Sequence, residues 1–274
     1  MPPGVIFTVK RQSSMVDQKE QTEKVVDLKP PAAGDAPARR KGIYLLPNIL
    51  TTGALFGGFY AVLSGFSGNF EFAAMAIFAA MIFDGLDGRV ARMTNTQSDF
   101  GVQYDSLSDM VSFGVAPAVV AYGWGVSDLG KLGLAAAFVY ASCAALRLAR
   151  FNVQAELTAD NKTFTGLPSP AAAALIAGFI WSTYDIEPSL GLSVTGAVLT
   201  ALAGFLMVSN FKYPSFKEVD LRGKVPFIVI LSIVMGFVVI TIDPPRILFA
   251  MAVTFGFSAP LIWVWKRLTT NKAS

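Results

Sequence analysis

The chain has 274 residues, of which 53% are hydrophobic and only 15% charged, with a mean hydropathy of +0.53; a soluble domain is nearer a quarter charged. The net charge of +3 gives no argument for nucleic acid as a partner. The chain has no histidine and a single cysteine, Cys143, which excludes an internal disulfide, a histidine base and imidazole ligation of a transition metal.

In chain order, residues 1–38 are polar, with Pro and Ala clusters and mixed charge, the composition of a disordered cytoplasmic tail. No apolar stretch follows Lys10 and Arg11, so this is not a secretory signal. Eight apolar segments follow, at 46–66, 70–92, 105–126, 130–150, 167–184, 190–209, 225–242 and 246–265. Apolar blocks of about 20 residues between short polar joints predict an all-α polytopic membrane protein with about eight transmembrane helices. The sequence GVAPA (Gly114–Ala118) would kink the third. Of the 22 Lys and Arg residues, 20 fall in the tails and the even-numbered joints, and only Lys131 and Arg246 in the others. By the positive-inside rule both termini face the cytoplasm, as an even number of spans requires.

The second apolar segment ends in DGLDGRVAR, Asp84 to Arg92, and the third opens on Asp105 and Asp109. Asp84 and Asp87 are three apart and share a helix face; Asp105 and Asp109 are four apart and share another. The short joint makes the two helices antiparallel neighbours, so the two pairs converge at the cytoplasmic face. A carboxylate at the bilayer centre costs roughly 2.5–3.5 kcal/mol, less near the interface, and mutual repulsion adds to this. Divalent cations relieve the repulsion, and an oxygen-only ligand set suits Mg²⁺, with Mn²⁺ or Ca²⁺ as substitutes. Four carboxylates suffice for two such ions, a device that grips phosphoryl oxygens. Gly85 and Gly88 carry no side chain beside the acids and admit a bulky group, and Arg92 can donate to a phosphate. Acids at membrane depth also mark ion and proton pathways, so on these residues alone a cation-coupled transporter stands as an alternative.

The string D-G-L-D-G-R-V-A-R, then eight residues, then G-V-Q-Y-D-S-L-S-D resembles the CDP-alcohol phosphatidyltransferase signature. Asp84, Gly85, Asp87, Gly88, Ala91, Arg92, Gly101, Asp105 and Asp109 occupy every fixed position. The resemblance implies a six-helix catalytic core over residues 39–210, two additional helices over 211–268, and a cytoplasmic tail at 269–274. It implies a reaction in which an alcohol attacks the phosphate of a CDP-linked lipid and CMP leaves. It implies Asp84, Asp87 and Asp105 as metal ligands, and Asp109 as general base that also touches the second metal. Pro47 and Asn48, in LLPNILT, and Gly85, Gly88, Arg92 and Ser98 would contact the CDP part. Pro47 is equally an ordinary helix start.

The acceptor follows from a narrower likeness. SDFGVQYDSLSDMVSFGVAPA, AALRLARFN (Ala144–Asn152) and FTGLPSPAAA (Phe164–Ala173) are similar to the phosphatidylserine synthase branch, which implies CDP-diacylglycerol and L-serine as substrates. Arg147, Arg150, Asn152 and Lys162 would wall the serine pocket, although positive-inside placement accounts for any one of these basic residues as well. The family likeness also implies a homodimer embedded in the cytoplasmic (inner) membrane. A sister transferase using choline, glycerol phosphate or an inositol phosphate is the nearer alternative. A prenyltransferase would need an N-D-x-x-D-x-x-x-D string, which the chain lacks.

Overall fold

The structure, a computed structural model, describes residues 45–157, 164–213 and 227–270. The N-terminal tail, Lys162 and the last four residues lie outside the described residues. The described residues are helical almost throughout, as a chain in lipid must be, because a helix satisfies its own backbone hydrogen bonds. In order come α1 (Leu45–Phe66), α2 (Phe70–Thr94), α3 (Asp99–Asp109), a π-helical turn (Met110–Val115), α4 (Ala116–Trp124) and a 3₁₀ turn (Val126–Leu129). Then follow α5 (Lys131–Leu157), α6 (Ser169–Ser182), α7 (Leu190–Val208), α8 (Phe227–Ile242) and α9 (Pro244–Thr270). Two short strands, β1 (Phe164–Thr165) and β2 (Lys212–Tyr213), pair antiparallel.

These elements follow the eight apolar segments, with α3, the π turn and α4 together making the third. Four of them, α1, α5, α7 and α9, are long and apolar enough to cross a membrane. Three boundaries differ from expectation. The third segment begins at Asp99 because Ser98 caps it, its hydroxyl accepting from the Gly101 N–H at 3.1 Å. Helix α5 runs on to Leu157, past the expected end of the fourth segment at residue 150. Helix α9 reaches Thr270, beyond the expected end of the eighth apolar segment at residue 265.

Helix α1 is the centre of the site-bearing half. Its buried face is Thr51, Ala54, Gly58, Ala61, Ser64 and Gly65, small residues at helical spacing. Small residues let helix backbones approach closely where lipid supplies no hydrophobic drive. At Gly58 a Cβ would lie 2.6 Å from the Cα of Ser112, so the π turn crosses α1 there in direct backbone contact. Helix α6 is buried from Leu175 to Ile180, which is how a helix of only 14 residues can be apolar all round.

The irregularity in the third segment takes the form of the π turn ahead of Pro117. Pro117 has no N–H to give the carbonyl of Phe113 four residues back, and the buried Tyr140 hydroxyl of α5 donates to that oxygen at 2.8 Å. Ser112, also in the turn, donates to the Ala54 carbonyl at 2.9 Å. The π turn starts directly after Asp109 and sets where that residue points relative to the core.

Candidate active site

Two helix ends and a four-residue joint build the site. Asn95 ends α2 in the left-handed conformation, φ 51°, which asparagine tolerates better than most residues. Ser98 then starts α3. The chain thereby turns back within residues 95–98, and both acidic helices pack on α1 while making little direct contact with each other. They are antiparallel as expected, but they stand apart as a wedge held by α1.

Carboxylate oxygens of Asp84, Asp105 and Asp109 lie within 4.8 Å of one another in that wedge. The side chains of Asp84 and Asp109 meet directly. Two carboxyls in contact need a proton or a cation between them. The Oδ1 of Asp105 is buried and has no hydrogen-bond partner among the described residues. A buried carboxylate oxygen without a donor is what a hard cation satisfies. The donor set therefore fits a divalent ion, on this chain's own geometry.

Asp87 plays a different part from the other three. It is 5% exposed, and its Oδ2 accepts from the Thr51 hydroxyl at 2.6 Å. It faces a cavity of about 310 Å³ next to the cluster. Pro47, Asn48, Gly88, Arg92 and Ser98 line that cavity together with Asp87 and Asp105. Five of the six residues expected at the CDP part are thus brought to one place. Gly85 does not line it, but a Cβ added at Gly85 or at Gly88 meets nothing within 4 Å, so both glycines keep space open beside the acids.

The expected acceptor residues divide. Arg147 is held by Ser169, Nη1 donating to Oγ at 2.7 Å, and it interacts electrostatically with Asp109. Asn152 donates from Nδ2 to the Ser106 hydroxyl at 3.1 Å, joining α5 to α3 next to Asp105. Arg150 is exposed and donates to Asn210 at 3.2 Å, away from the cluster. Sequence reasoning missed Thr51, Ser106 and Ser169. Thr51 alone left a signal, since it lies one turn after Pro47 and Asn48 and its hydroxyl also reaches the Pro47 carbonyl, at 3.1 Å.

Residues 44–209 match the family profile described as CDP-alcohol phosphatidyltransferase, over more than half the chain. The chain belongs to this family. Enzymes of the family are transferases and depend on divalent cations, in keeping with the acidic cluster. A CDP-diacylglycerol–serine O-phosphatidyltransferase from Helicobacter pylori (strain J99) is 38% identical over 199 residues, 72% of this chain and 83% of that one. One of the same name from Bacillus subtilis (strain 168) is 34% identical over 173 residues, 63% of this chain and 92% of the relative. An archaetidylserine synthase from Methanothermobacter thermautotrophicus is 36% identical over 171 residues, 62% of this chain and 69% of the relative.

Proposed function

We propose that this family member transfers the phosphatidyl group of CDP-diacylglycerol to the hydroxyl of L-serine and releases CMP. The observation that carries the transfer chemistry is the meeting of Asp84, Asp105 and Asp109 within 4.8 Å beside the cavity that gathers the nucleotide-side residues. Support for serine comes from the relatives, whose names pair two different lipid types with the same amino acid.

In this reading Asp84, Asp87, Asp105 and Asp109 hold two divalent cations, Mg²⁺ or Mn²⁺ with Ca²⁺ as a substitute, which supply charge neutralisation of the diphosphate. Thr51 fixes Asp87 by its hydrogen bond. Arg92, on the cavity wall, donates to phosphate oxygens of the CDP part. Gly85 and Gly88 admit the diphosphate to the helix surface. The serine oxygen forms a bond to the lipid-side phosphorus, and the bond from that phosphorus to the CMP oxygen breaks. The proton of the serine hydroxyl passes to a carboxylate oxygen of Asp109, and the electron pair leaves on CMP. Arg147, Arg150, Asn152 and Lys162 are the candidates for the acceptor wall. The site and both termini face the cytoplasm, the enzyme sits in the inner membrane as a homodimer, and the acyl chains stay in lipid.

The test is CMP release by purified protein with CDP-diacylglycerol and Mg²⁺ or Mn²⁺, with and without L-serine. Serine-dependent release is expected, lost on chelation and reduced about 10²-fold or more in Asp109→Asn, the usual contribution of a general base. Release only with another alcohol would replace serine as the acceptor. No release with any alcohol or metal would return the acids to the role of an ion pathway.

A further inference from the structure

The turn FTGLPSP lines neither the cavity nor the acidic cluster, yet its backbone is constrained from Gly166 to Pro170. Gly166 has φ +84°, and a Cβ there would run into the Met207 carbonyl, so only glycine fits without strain. The N–H groups of Gly166 and Leu167 donate to the carbonyls of Phe211 and Leu206, both at 2.9 Å, and the Leu167 side chain is fully buried. Pro168 and Pro170 flank Ser169 and fix φ on both sides of it.

A serine at a helix start usually caps its own helix. Ser169 lies one residue past the cap position, which Pro168 occupies, so its hydroxyl is not taken by a cap; with its residue fully buried, it accepts from Arg147 at 2.7 Å. The guanidinium is held at one corner. Its Nε is buried and has no hydrogen-bond partner among the described residues, and Arg147 forms no ion pair there although Asp109 is within electrostatic reach. Arg147 is half-buried, and an arginine with a purely structural role would have its buried donors satisfied. One that is anchored at Nη1 and unpaired elsewhere is prepared for a planar anion. Arg150 and Asn152 are already engaged with Asn210 and Ser106, so of these three residues of α5 Arg147 is the one left for this task.

We infer that the Gly166–Ser169 turn is a positioning device, in which Ser169 aims Arg147 at the carboxylate of the acceptor beside Asp109. The inference rests on the proposed serine acceptor and gives Ser169 the role of a positioning residue. It explains how an acceptor could be told from an uncharged alcohol of the same size: the carboxylate is read by a fork whose orientation the turn dictates.

The experiment compares wild type, Ser169→Ala, Ser169→Thr and Arg147→Lys with L-serine and with L-serinamide, whose carboxylate is masked. Loss of one hydrogen bond to a charged group predicts an L-serine KM raised about tenfold or more in Ser169→Ala, with the KM for CDP-diacylglycerol within about twofold, roughly the scatter from a neutral change. The preference for L-serine over L-serinamide should fall in Ser169→Ala and Arg147→Lys, and return toward wild type in Ser169→Thr, which keeps the hydroxyl. Parallel rises in both KM values, or an unchanged preference in Ser169→Ala, would overturn the inference and leave the serine reading standing. Arg147→Lys keeps the residue at Ser169, so it probes the same preference if Ser169→Ala does not fold, and an unchanged preference there would overturn the inference equally. A wild type that uses neither compound would sink the serine reading itself, and this inference with it.

Discussion

Thr51 is a small side chain with two obligations. Its hydroxyl donates to Asp87 at 2.6 Å, and its own carbonyl accepts from the Ser108 hydroxyl of α3 at 3.1 Å. The first bond fixes a carboxylate on α2 and the second fixes α3, so one residue of α1 ties both acidic helices to the same support. Thr51→Val keeps the shape and the backbone carbonyl and removes the hydroxyl, hence the donor to Asp87 and the weaker contact to the Pro47 carbonyl of the same helix. A hydrogen bond to a charged group is worth about 1.5–3 kcal/mol. The KM for CDP-diacylglycerol should therefore rise about tenfold or more, with the KM for the acceptor little changed; steady-state kinetics in the two substrates separates these. An equal rise in both would mean that Thr51 acts on the whole cluster and not on Asp87.

Where helices meet, the chain uses glycine for two opposite purposes. At Gly58 a Cβ would sit 2.6 Å from the backbone of Ser112, while at Gly88 it would meet nothing within 4 Å. Gly58→Ala must push the π turn off α1, an overpacking that typically costs about 1–3 kcal/mol. Gly88→Ala relieves a helical glycine, worth up to about 1 kcal/mol in favour of the fold, but puts a methyl into the space beside Asp87. Thermal unfolding in detergent should show Gly58→Ala less stable than wild type and Gly88→Ala no less stable. CMP release should be impaired in Gly88→Ala in spite of its intact fold. A Gly88→Ala enzyme of full activity would remove that glycine from the substrate path.

Helix positions were legible in the sequence because lipid imposes long apolar runs, and the run at Phe70–Phe83 and the one at Leu190–Val208 both became helices within a residue or two of their expected starts. The acids were legible because carboxylates are costly at membrane depth. Ser106 with Asn152, Ser169 with Arg147 and Tyr140 with the Phe113 carbonyl were not. Each is a bond between elements distant in the chain, and it depends on how far each helix is rotated about its axis, which hydropathy does not encode. The π turn escaped for a related reason: Pro117 and GVAPA announce an irregularity, but Tyr140, the partner that stabilises this form of it, lies 27 residues away from Phe113.

Over the whole molecule, helix α9, beyond the family match, is tied to the catalytic part at definite points. Helix α9 packs on α6 so closely that a Cβ at Gly178 would lie 2.9 Å from the Cα of Phe249. Tyr213, just outside α7, donates to the Gly256 carbonyl of α9 at 2.8 Å and its ring lies 5.6 Å from that of Phe255. Phe211 meets Trp263 at 5.9 Å, and Arg267 stands over the Trp263 ring at 5.1 Å. Tyr213→Phe keeps the ring contact and leaves a buried carbonyl without its donor. It should lower stability by about 1–3 kcal/mol, read as an earlier thermal transition, with both KM values unchanged. A variant as stable as wild type would mean that α9 is held by ring and helix packing alone.

The π turn at Met110–Val115 has one more consequence, in terms of phase. Ahead of it, Asp105 and Asp109 must face the wedge between helices; behind it, Val120 and Trp124 must face the packed interior. A regular helix advances about 100° per residue, so its two ends cannot be turned independently. The wider turn lets one continuous helix obey both demands. Deleting a single residue within it would let the segment close as a regular helix with both halves still in phase, so the carboxylates would keep facing Asp84, whereas the same deletion in a regular helix turns one end about 100° against the other.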